Sequence, residues 1–420
     1  MAFYKETNLQ ETQIGKIPRD WKSVSINQLS EVRRGASPRP IGDPKYFSDK
    51  GRGWVRISDV TETYKYLRKT SQYLSEFGES KSVKVDLGDL IMSICATIGR
   101  PILVDMEACI HDGFVVFRNL SREVDTEFLF YVLQKYESKF AGMRQTGTQG
   151  NLNTKLVGST PIPLPPLSEQ RAIVGVLSVV DLAVAKVGEV IAKTERLKKG
   201  LMQTLLTRGI GHKEYKQTPI GTIPETWQTV KLEDVAEIRG NKSVSNFEKI
   251  AFIPMELIPE TRIFAKYQIR AKEDVRSSTY CEAGDLLLAK ITPSLENGKQ
   301  GIVPSDVPNK VALATTEVFP IHCKGIDKFF LFYTLKFSKF RNKIISSMIG
   351  TTGRQRASKE SVERLEIPLP PIDEQQKIAE ILSNVDEKLE LERNEKSKLE
   401  RIKQGLMDLL LTGKIRVKVD

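Results

Sequence analysis

The sequence is short of the residues that bond-making chemistry and metals need. Its 420 residues include three histidines and four cysteines. No two cysteines have C-x-x-C spacing, which argues against a zinc site and against a disulfide scaffold. Cys95, Cys109, Cys281 and Cys323 read as free thiols of a reducing cytoplasm, and the adjacent pair His322–Cys323 as structural. There is no G-x-x-x-x-G-K-S/T loop for a nucleoside triphosphate and no strand–GxGxxG–helix unit for a dinucleotide. Gly209-Ile210-Gly211 is a lone GxG at a helix stop. Asn or Asp followed by Pro-Pro and an aromatic, the adenine-methyltransferase signature, is missing; Pro165-Pro166 and Pro370-Pro371 both follow leucine. No Ser/His/Asp or metal–carboxylate set stands out. The opening MAFYKETNLQETQ lacks the basic-then-apolar order of a signal peptide. The nearest approach to a membrane helix, residues 172–190, is interrupted by Asp181 and Lys186. Each such charge costs about 2.5–3.5 kcal/mol at a bilayer centre.

What is present is positive charge and repetition. A net charge of +11 points to an anionic partner, nucleic acid before membrane surface. The chain is also written twice. Ile14, Gly15, Ile17, Pro18, Trp21, Val24 and Glu31 recur as Ile220, Gly221, Ile223, Pro224, Trp227, Val230 and Glu237. IPLPPLSEQ, from Ile162, returns as IPLPPIDEQ, from Ile367, and KKGLMQTLLT, from Lys198, as KQGLMDLLLT, from Lys403. Between these anchors the match thins to LGDLIMS and AGDLLLA, FLFYVL and FLFYTL, and GTQG and GTTG. Two long copies, rather than many short ones, imply two similar domains related by a pseudo-two-fold axis. The counterpart of residues 172–190, KIAEILSNVDEKLELERNE, is far too charged to span a bilayer.

Each IPLPP segment forces an extended entry and is followed by some 40 residues without proline. Asp373 is the candidate cap of the second helix, with Gln376 as its capping-box partner; Ser168 is the candidate for the first. Gly209 and Gly413 sit where a left-handed residue would stop each helix. Apolar residues recur at a period near 3.5: Ile173, Leu177, Val180, Val184, Val187, Ile191, Leu197, Leu201 and Leu205, then Ile378, Leu382, Val385, Leu389, Leu399, Ile402, Leu406 and Leu410. Sustained spacing of this kind predicts a coiled coil, and two-fold-related helices packed side by side run antiparallel. Gly200 and Gly405 occupy equivalent places and suggest a close backbone approach. The first helix is apolar on more of its circumference than one partner helix covers, which reads as a surface for another protein or for its own domains.

The divergent contents have a mixed α/β texture. The β-rich runs are WVRISDV (54–60), DLIMSIC (89–95), GFVVFRN (113–119), KIAFIPM (249–255) and DLLLAKI (285–291). Loops near them carry residue types suited to base edges, Arg and Lys for guanine, Asn and Gln for adenine. In the first copy the candidates are Arg33, Arg34, Ser37, Arg39, Arg56, Thr97, Arg100, Arg144, Thr146, Gln149, Asn151, Asn153 and Lys155. In the second they are Arg239, Asn241, Lys242, Lys290, Thr292, Asn297, Lys299, Arg354, Gln355, Arg356 and Lys359. For any one cation a solvated turn is the plainer reading. Arg354-Gln355-Arg356 and the group Arg144, Gln149 and Asn151 rise above it, because they flank glycines at matching places in the two copies.

Two IGxIPxxW openings, the IPLPPxxEQ helix starts and the GLM-xx-LLT helix ends resemble the specificity subunits of type I restriction–modification systems over essentially the whole chain. KITPSLENGK and GTTGRQR also resemble recognition loops of that family. RRGASPRP resembles a Gly-Thr-Pro-Ser-like loop, whereas RGNKSVSN lacks the proline, so roles do not transfer between halves. The resemblance implies an α+β (mixed α/β) fold with target-recognition domains at 1–162 and 211–366, and long spacer helices at 163–210 and 367–420. It implies a non-catalytic prokaryotic, cytoplasmic subunit that directs partners to a bipartite site on double-stranded DNA. The partners would be two modification subunits using S-adenosylmethionine and motor–nuclease subunits using ATP and Mg, with no cofactor in this chain. The rivals are a free-standing DNA methyltransferase or nuclease, opposed by the missing motifs, and a coiled-coil scaffold, opposed by the basic loops.

Overall fold

The structure, a computed structural model, describes residues 2–143, 152–244, 247–275, 277–351 and 353–418. It divides into two units, residues 1–185 with 397–420, and residues 186–396. The long helices, Leu167–Arg208 and Ile372–Leu410, each contribute one part to each unit. No helix among the described residues is long and apolar enough to cross a membrane.

The repeat in sequence is a repeat in topology. The first unit has a sheet ordered Glu31–Arg34, Phe114–Arg118, Leu90–Ser93, Pro101–Val104 and Tyr66–Leu67. The second has Ala236–Ile238, Val318–Cys323, Leu286–Ala289 and Gln300–Ile302 in the matching order. A second four-stranded sheet in each follows the same plan. It runs Tyr73–Leu74, Phe47–Val55, Ala108–Ile110, Val83–Val85 in one. In the other it runs Gln268–Ala271, Lys249–Ile253, Val311–Ala314, Thr279–Glu282. The central strands Leu90–Ser93 and Leu286–Ala289 are buried on both faces, which explains their unbroken apolar runs. The predicted run at 54–60 is only partly a strand. It ends at Val55, and Ile57–Glu62 is helical because Asp59 accepts the Arg56 N–H at 2.8 Å and starts a turn.

The repeated anchors close each unit. Lys22–Ser25 pairs with Pro161–Leu164, and Gln228–Lys231 with Glu366–Leu369, so the W-containing opening meets the IPLPP strand across the whole domain. The EQ pair that follows locks the joint. Buried Trp21 donates its indole N–H to Glu169 at 3.0 Å, and Trp227 donates to Glu374 at 2.9 Å. Gln170 accepts the Asp125 N–H and donates to the Pro165 carbonyl; Gln375 does the same with Asp327 and Pro370. Asp125 and Asp327 in turn cap the aromatic helices Thr126–Lys135 and Lys328–Lys336. Truncating either tryptophan to alanine would cost about 3–5 kcal/mol.

Within the second unit the two helices run antiparallel, since Lys198 meets Asp386 at 2.5 Å and Glu195 meets Arg393 at 2.6 Å. Within the first, Ile173 and Leu177 share a core with Met407, Leu410 and Leu411. The helices begin at Leu167 and Ile372, so Ser168 and Asp373 lie inside the first turn and Pro166 and Pro371 precede it. Gly209 and Gly413 have φ of +66° and +68° and end the helices as predicted. Two helix expectations need correction. Gly200 and Gly405 have nothing within 4 Å of where a Cβ would stand, so neither marks a close approach among the described residues. Leu197 and Ile402 are 56% and 45% exposed. The rest of the stripe holds, with Ile173, Leu177, Val184, Leu205, Ile378, Leu382, Leu389 and Leu410 buried, and it also takes in Asp181, Asp386 and Lys403, which form ion pairs within their own units. Asp181, which interrupts the membrane-like run, sits 2.9 Å from Lys403 and accepts hydroxyls from Tyr64 and Tyr131, both at 2.6 Å.

Candidate nucleic-acid interface

In the second unit the backbone stitches two loops, far apart in sequence, into one surface. The Thr292 N–H donates to the Gln355 carbonyl at 3.0 Å, and the Ala357 N–H to the Lys290 carbonyl at 2.8 Å. Ile349 and Arg356 exchange two bonds across an antiparallel bridge. KITPSLENGK and GTTGRQR are therefore one structure. The first unit repeats the join, with Leu152 N–H on the Ile94 carbonyl at 3.1 Å. Arg144, Thr146, Gln149 and Asn151 lie outside the described residues.

On this surface Arg356 is held by both oxygens of Glu317, at 3.0 and 2.9 Å, and the guanidinium holds that carboxyl below its ordinary range. Thr292 donates its hydroxyl to Glu296, and Lys290 lies 5.2 Å from the Phe319 ring centre. Arg354 is exposed with no side-chain partner among the described residues, beside half-buried Gln355 and Ile349, which is 76% exposed. Asn297 and Asn241 are exposed as well. Lys359 pairs with Glu363 within one short helix, and Lys242 with Glu282 over the Tyr280 ring. Two candidates serve the fold instead. Arg239, 13% exposed, is clamped by Asp285, Glu282 and His322. The Lys299 ammonium donates to the Met255 carbonyl at 3.0 Å.

In the first unit the RRGASPRP loop wraps around Asp112. Ser37 donates to one carboxyl oxygen at 2.6 Å and Arg39 to the other at 3.0 Å, while Arg34 donates to the backbone carbonyl at 2.7 Å. Burial alone would raise the Asp112 carboxyl; Ser37, Arg39, His111 and Arg34 outweigh it and hold it low. Gly35 is required, because a Cβ there would stand 2.2 Å from the His111 carbonyl oxygen. Beside this loop Ile41, Arg56, Ile57, Ser58 and His111 line a hollow of about 300 Å³. Burial pushes the His111 ring below its ordinary value, with Asp112 opposing and Arg56 assisting. The Arg56 guanidinium has no partner among the described residues, and Arg33 and Lys155 are exposed. Three candidates are structural. Arg100 donates to the carbonyls of Thr61 and Thr63, the Thr97 carbonyl accepts from Ser93, and Asn153 caps helix Thr154–Ser159.

The structure thus brings Ser37, Arg39 and Arg56 together in one unit and Thr292, Arg354, Gln355 and Arg356 in the other. Sequence reasoning missed the acids that orient them, Asp112 and Glu317, and the hollow's His111. The only signal was a turn-forming HDG at 111–113 just ahead of a strand. Among the described residues no group of His, Cys, Asp and Glu could hold a metal ion.

The model of one family, the type I restriction modification DNA specificity domain, matches the chain twice, at residues 18–193 and 224–401. The type I restriction enzyme MjaVIII specificity subunit of Methanocaldococcus jannaschii is 29% identical over 444 aligned positions, covering all of this chain and 98% of that one. The EcoAI specificity subunit of Escherichia coli is 33% identical over 162 residues, 37% of this chain and 27% of that one. Among solved structures, the S subunit of a type I system from M. genitalium superposes with a TM-score of 0.55 at 14% identity, covering 93% of this chain and 96% of that one. A chain from a study of assembly and conformational transition in a type I R-M system gives 0.54 at 20% identity, with 95% and 99% covered.

Proposed function

The chain belongs to the type I restriction–modification DNA specificity family, and on that premise we propose that the two surfaces just described are its DNA-reading faces. It is a non-catalytic specificity subunit, and each of its two recognition domains serves one half of an asymmetric, bipartite DNA site. The observation that carries the assignment of the faces is the doubled frame with different contents: both units build the same loop junction, but one offers Arg354 and Gln355, the other Arg39 and Arg56. Arg33, Lys155, Asn241 and Asn297 extend the faces, with phosphate contacts positioning them and base contacts specifying. Residues 1–162 and 211–366 are the two readers. The long helices hold the unread gap and dock two modification subunits, on which S-adenosylmethionine is bound and adenine methylated. Motor–nuclease subunits, with ATP and Mg, complete the restriction enzyme. A prokaryotic cytoplasm is the fitting compartment.

The test is to sequence adenine methylation in cells that carry the chain with its modification subunit, then with Asn27–Pro161 of the first reader exchanged for another subunit's. One half-site should change and the other stay. Change in both halves would sink the assignment.

A further inference from the structure

The second unit contains a cavity lined by charged residues, at a place where the matching residues of the first unit bond to one another. About 550 Å³ in volume, it lies where both long helices meet the helices Lys328–Lys336 and Ser338–Ser346. Three residues after Tyr131 the first unit has Gln134, whose carbonyl accepts the Lys403 ammonium at 2.7 Å. Tyr64 completes that site by donating to Asp181 and accepting from Lys403. Three residues after Tyr333 the second unit has Lys336, and among the described residues Tyr333 is the one tyrosine that bonds to the Asp386–Lys198 pair. Lys336 therefore stands beside Lys198, the counterpart of Lys403, and beside Arg341. Among the described residues Lys336 donates to the carbonyls of Glu260 and Gly298 and lies over the Phe332 ring, with no carboxylate partner. Arg341, partly buried, touches the Lys336 carbonyl and has no carboxylate partner among the described residues.

The acids nearby are already engaged. Asp386 binds Lys198 and the Tyr333 hydroxyl, and Glu195 binds Arg393 across the helix pair. Lys199 adds a further cation to the lining, and Glu260 is the remaining acid. Burial, then Arg341 and Lys198, push the Lys336 ammonium down to about 7, against Asp386 and Glu260. Cations crowded around a cavity of ligand size, with Lys336 and Arg341 partly desolvated, are arranged for an anion. The planar Arg341 guanidinium and the lysine ammoniums suit phosphate oxygens.

We propose that this cavity binds a small phosphate-bearing anion, from inorganic diphosphate to a nucleotide in size. Such an anion would raise the Lys336 ammonium back up, so binding takes up a proton above pH 7 and weakens as the pH rises.

The test is isothermal titration of the full chain with inorganic diphosphate at fixed ionic strength, in buffers of different ionisation heat. Wild type should bind saturably, with net proton uptake at pH 8. Arg341→Gln should weaken binding about tenfold or more, the loss of one charge-assisted contact. Lys336→Gln, which restores the amide of the first unit, should abolish proton uptake and raise the melting temperature of the ligand-free chain. Three results would overturn the proposal: no saturable binding at millimolar diphosphate, an Arg341→Gln variant that binds like wild type, or displacement of diphosphate by non-specific duplex, which would make the site part of the DNA face. None of these bears on which bases the chain reads.

Discussion

Substituting Asp181 by asparagine should destabilise the first unit far more than Asp386→Asn destabilises the second, although the two acids are equivalent in the repeat. Asp181 and Lys403 are each 8% exposed, and the carboxylate takes three donors, from Lys403, Tyr64 and Tyr131. Asparagine keeps the shape but leaves the Lys403 charge facing only the Tyr64 oxygen and the Gln134 carbonyl. Removing one partner of a buried ion pair costs about 3–5 kcal/mol. Asp386 has two donors, Lys198 and Tyr333, and Lys198 borders the open cavity, where water can take over its solvation. A loss of about 1–3 kcal/mol is the expectation there, close to the cost of an orphaned hydrogen-bonding group. Urea unfolding of each variant, followed by the fluorescence of Trp21 and Trp54 in one unit and Trp227 in the other, separates the two effects. Replacing both Asp181 and Lys403 by apolar residues should not recover the whole loss, because the Tyr64 hydroxyl would lose its acceptor, while Tyr131 would keep Ser178 as a partner. Equal losses at the two sites, or a loss below about 1 kcal/mol at Asp181, would refute the claim that burial of this network, rather than its chemistry, sets its worth.

Arg354→Ala should relax discrimination at one position of one half-site by about 1–3 kcal/mol and leave the other half-site intact, read by methylation of a randomised target library. Inserting four residues after Thr207 lengthens a helix by about 6 Å with little change of facing; the modified enzyme should then prefer a gap one or two base pairs longer, and an unchanged gap would rule the helices out as spacer. The first and last strands pair, Phe3–Lys5 with Ile415–Val417, and Lys418 donates to the Ala2 carbonyl at 2.8 Å. A circular permutant joining the termini by a short linker and opening at His212 should therefore fold and support methylation by the modification subunits like the parent, and a permutant that fails to fold would show that the break before Phe3 matters.

The frame was legible because its motifs do the same structural job twice. Identical spacing of Trp, Pro-Pro and Glu-Gln in two copies can be read only as a repeated joint, and the joint is what Trp21–Glu169 and Trp227–Glu374 form. Helix stops at Gly209 and Gly413 were legible for a local reason, since the left-handed turn they need is a property of one residue. Leu197 and Ile402 were misread because a heptad pattern assumes a uniform apolar seam. The seam is apolar at Ile173, Leu177, Ile378, Leu382 and Leu389 but also passes through Asp181, Asp386 and Lys403, which bond to Tyr64, Tyr131 and Tyr333 of the domains and, for Asp386, to Lys198. Gly200 and Gly405 invited a packing explanation on symmetry alone, and the open space around both shows that an equivalent position need not have a contact to explain it.

The reading faces were legible only in residue type, because the state of an arginine depends on acids that come from elsewhere in the chain. Arg39 meets Asp112 from 73 residues away, Arg356 meets Glu317 from 39, and Arg239 meets Asp285 from 46. In sequence all three arginines belong to loops of the same basic character. In the fold Arg239 is removed from the surface, Arg39 and Arg356 are presented in fixed directions, and Arg354 alone of its cluster is left to choose its partner. A guanidinium fixed by a carboxylate can approach a guanine edge in one orientation and loses little side-chain entropy in doing so. A free one attracts phosphate from any direction. On the proposed reading, divergence between the copies would act at two levels, through the cations themselves and through the acids that aim them. If these surfaces are the reading faces, Asp112→Asn or Glu317→Gln should alter which bases are methylated in a randomised target library without removing a cation, and an unchanged pattern would count against that role.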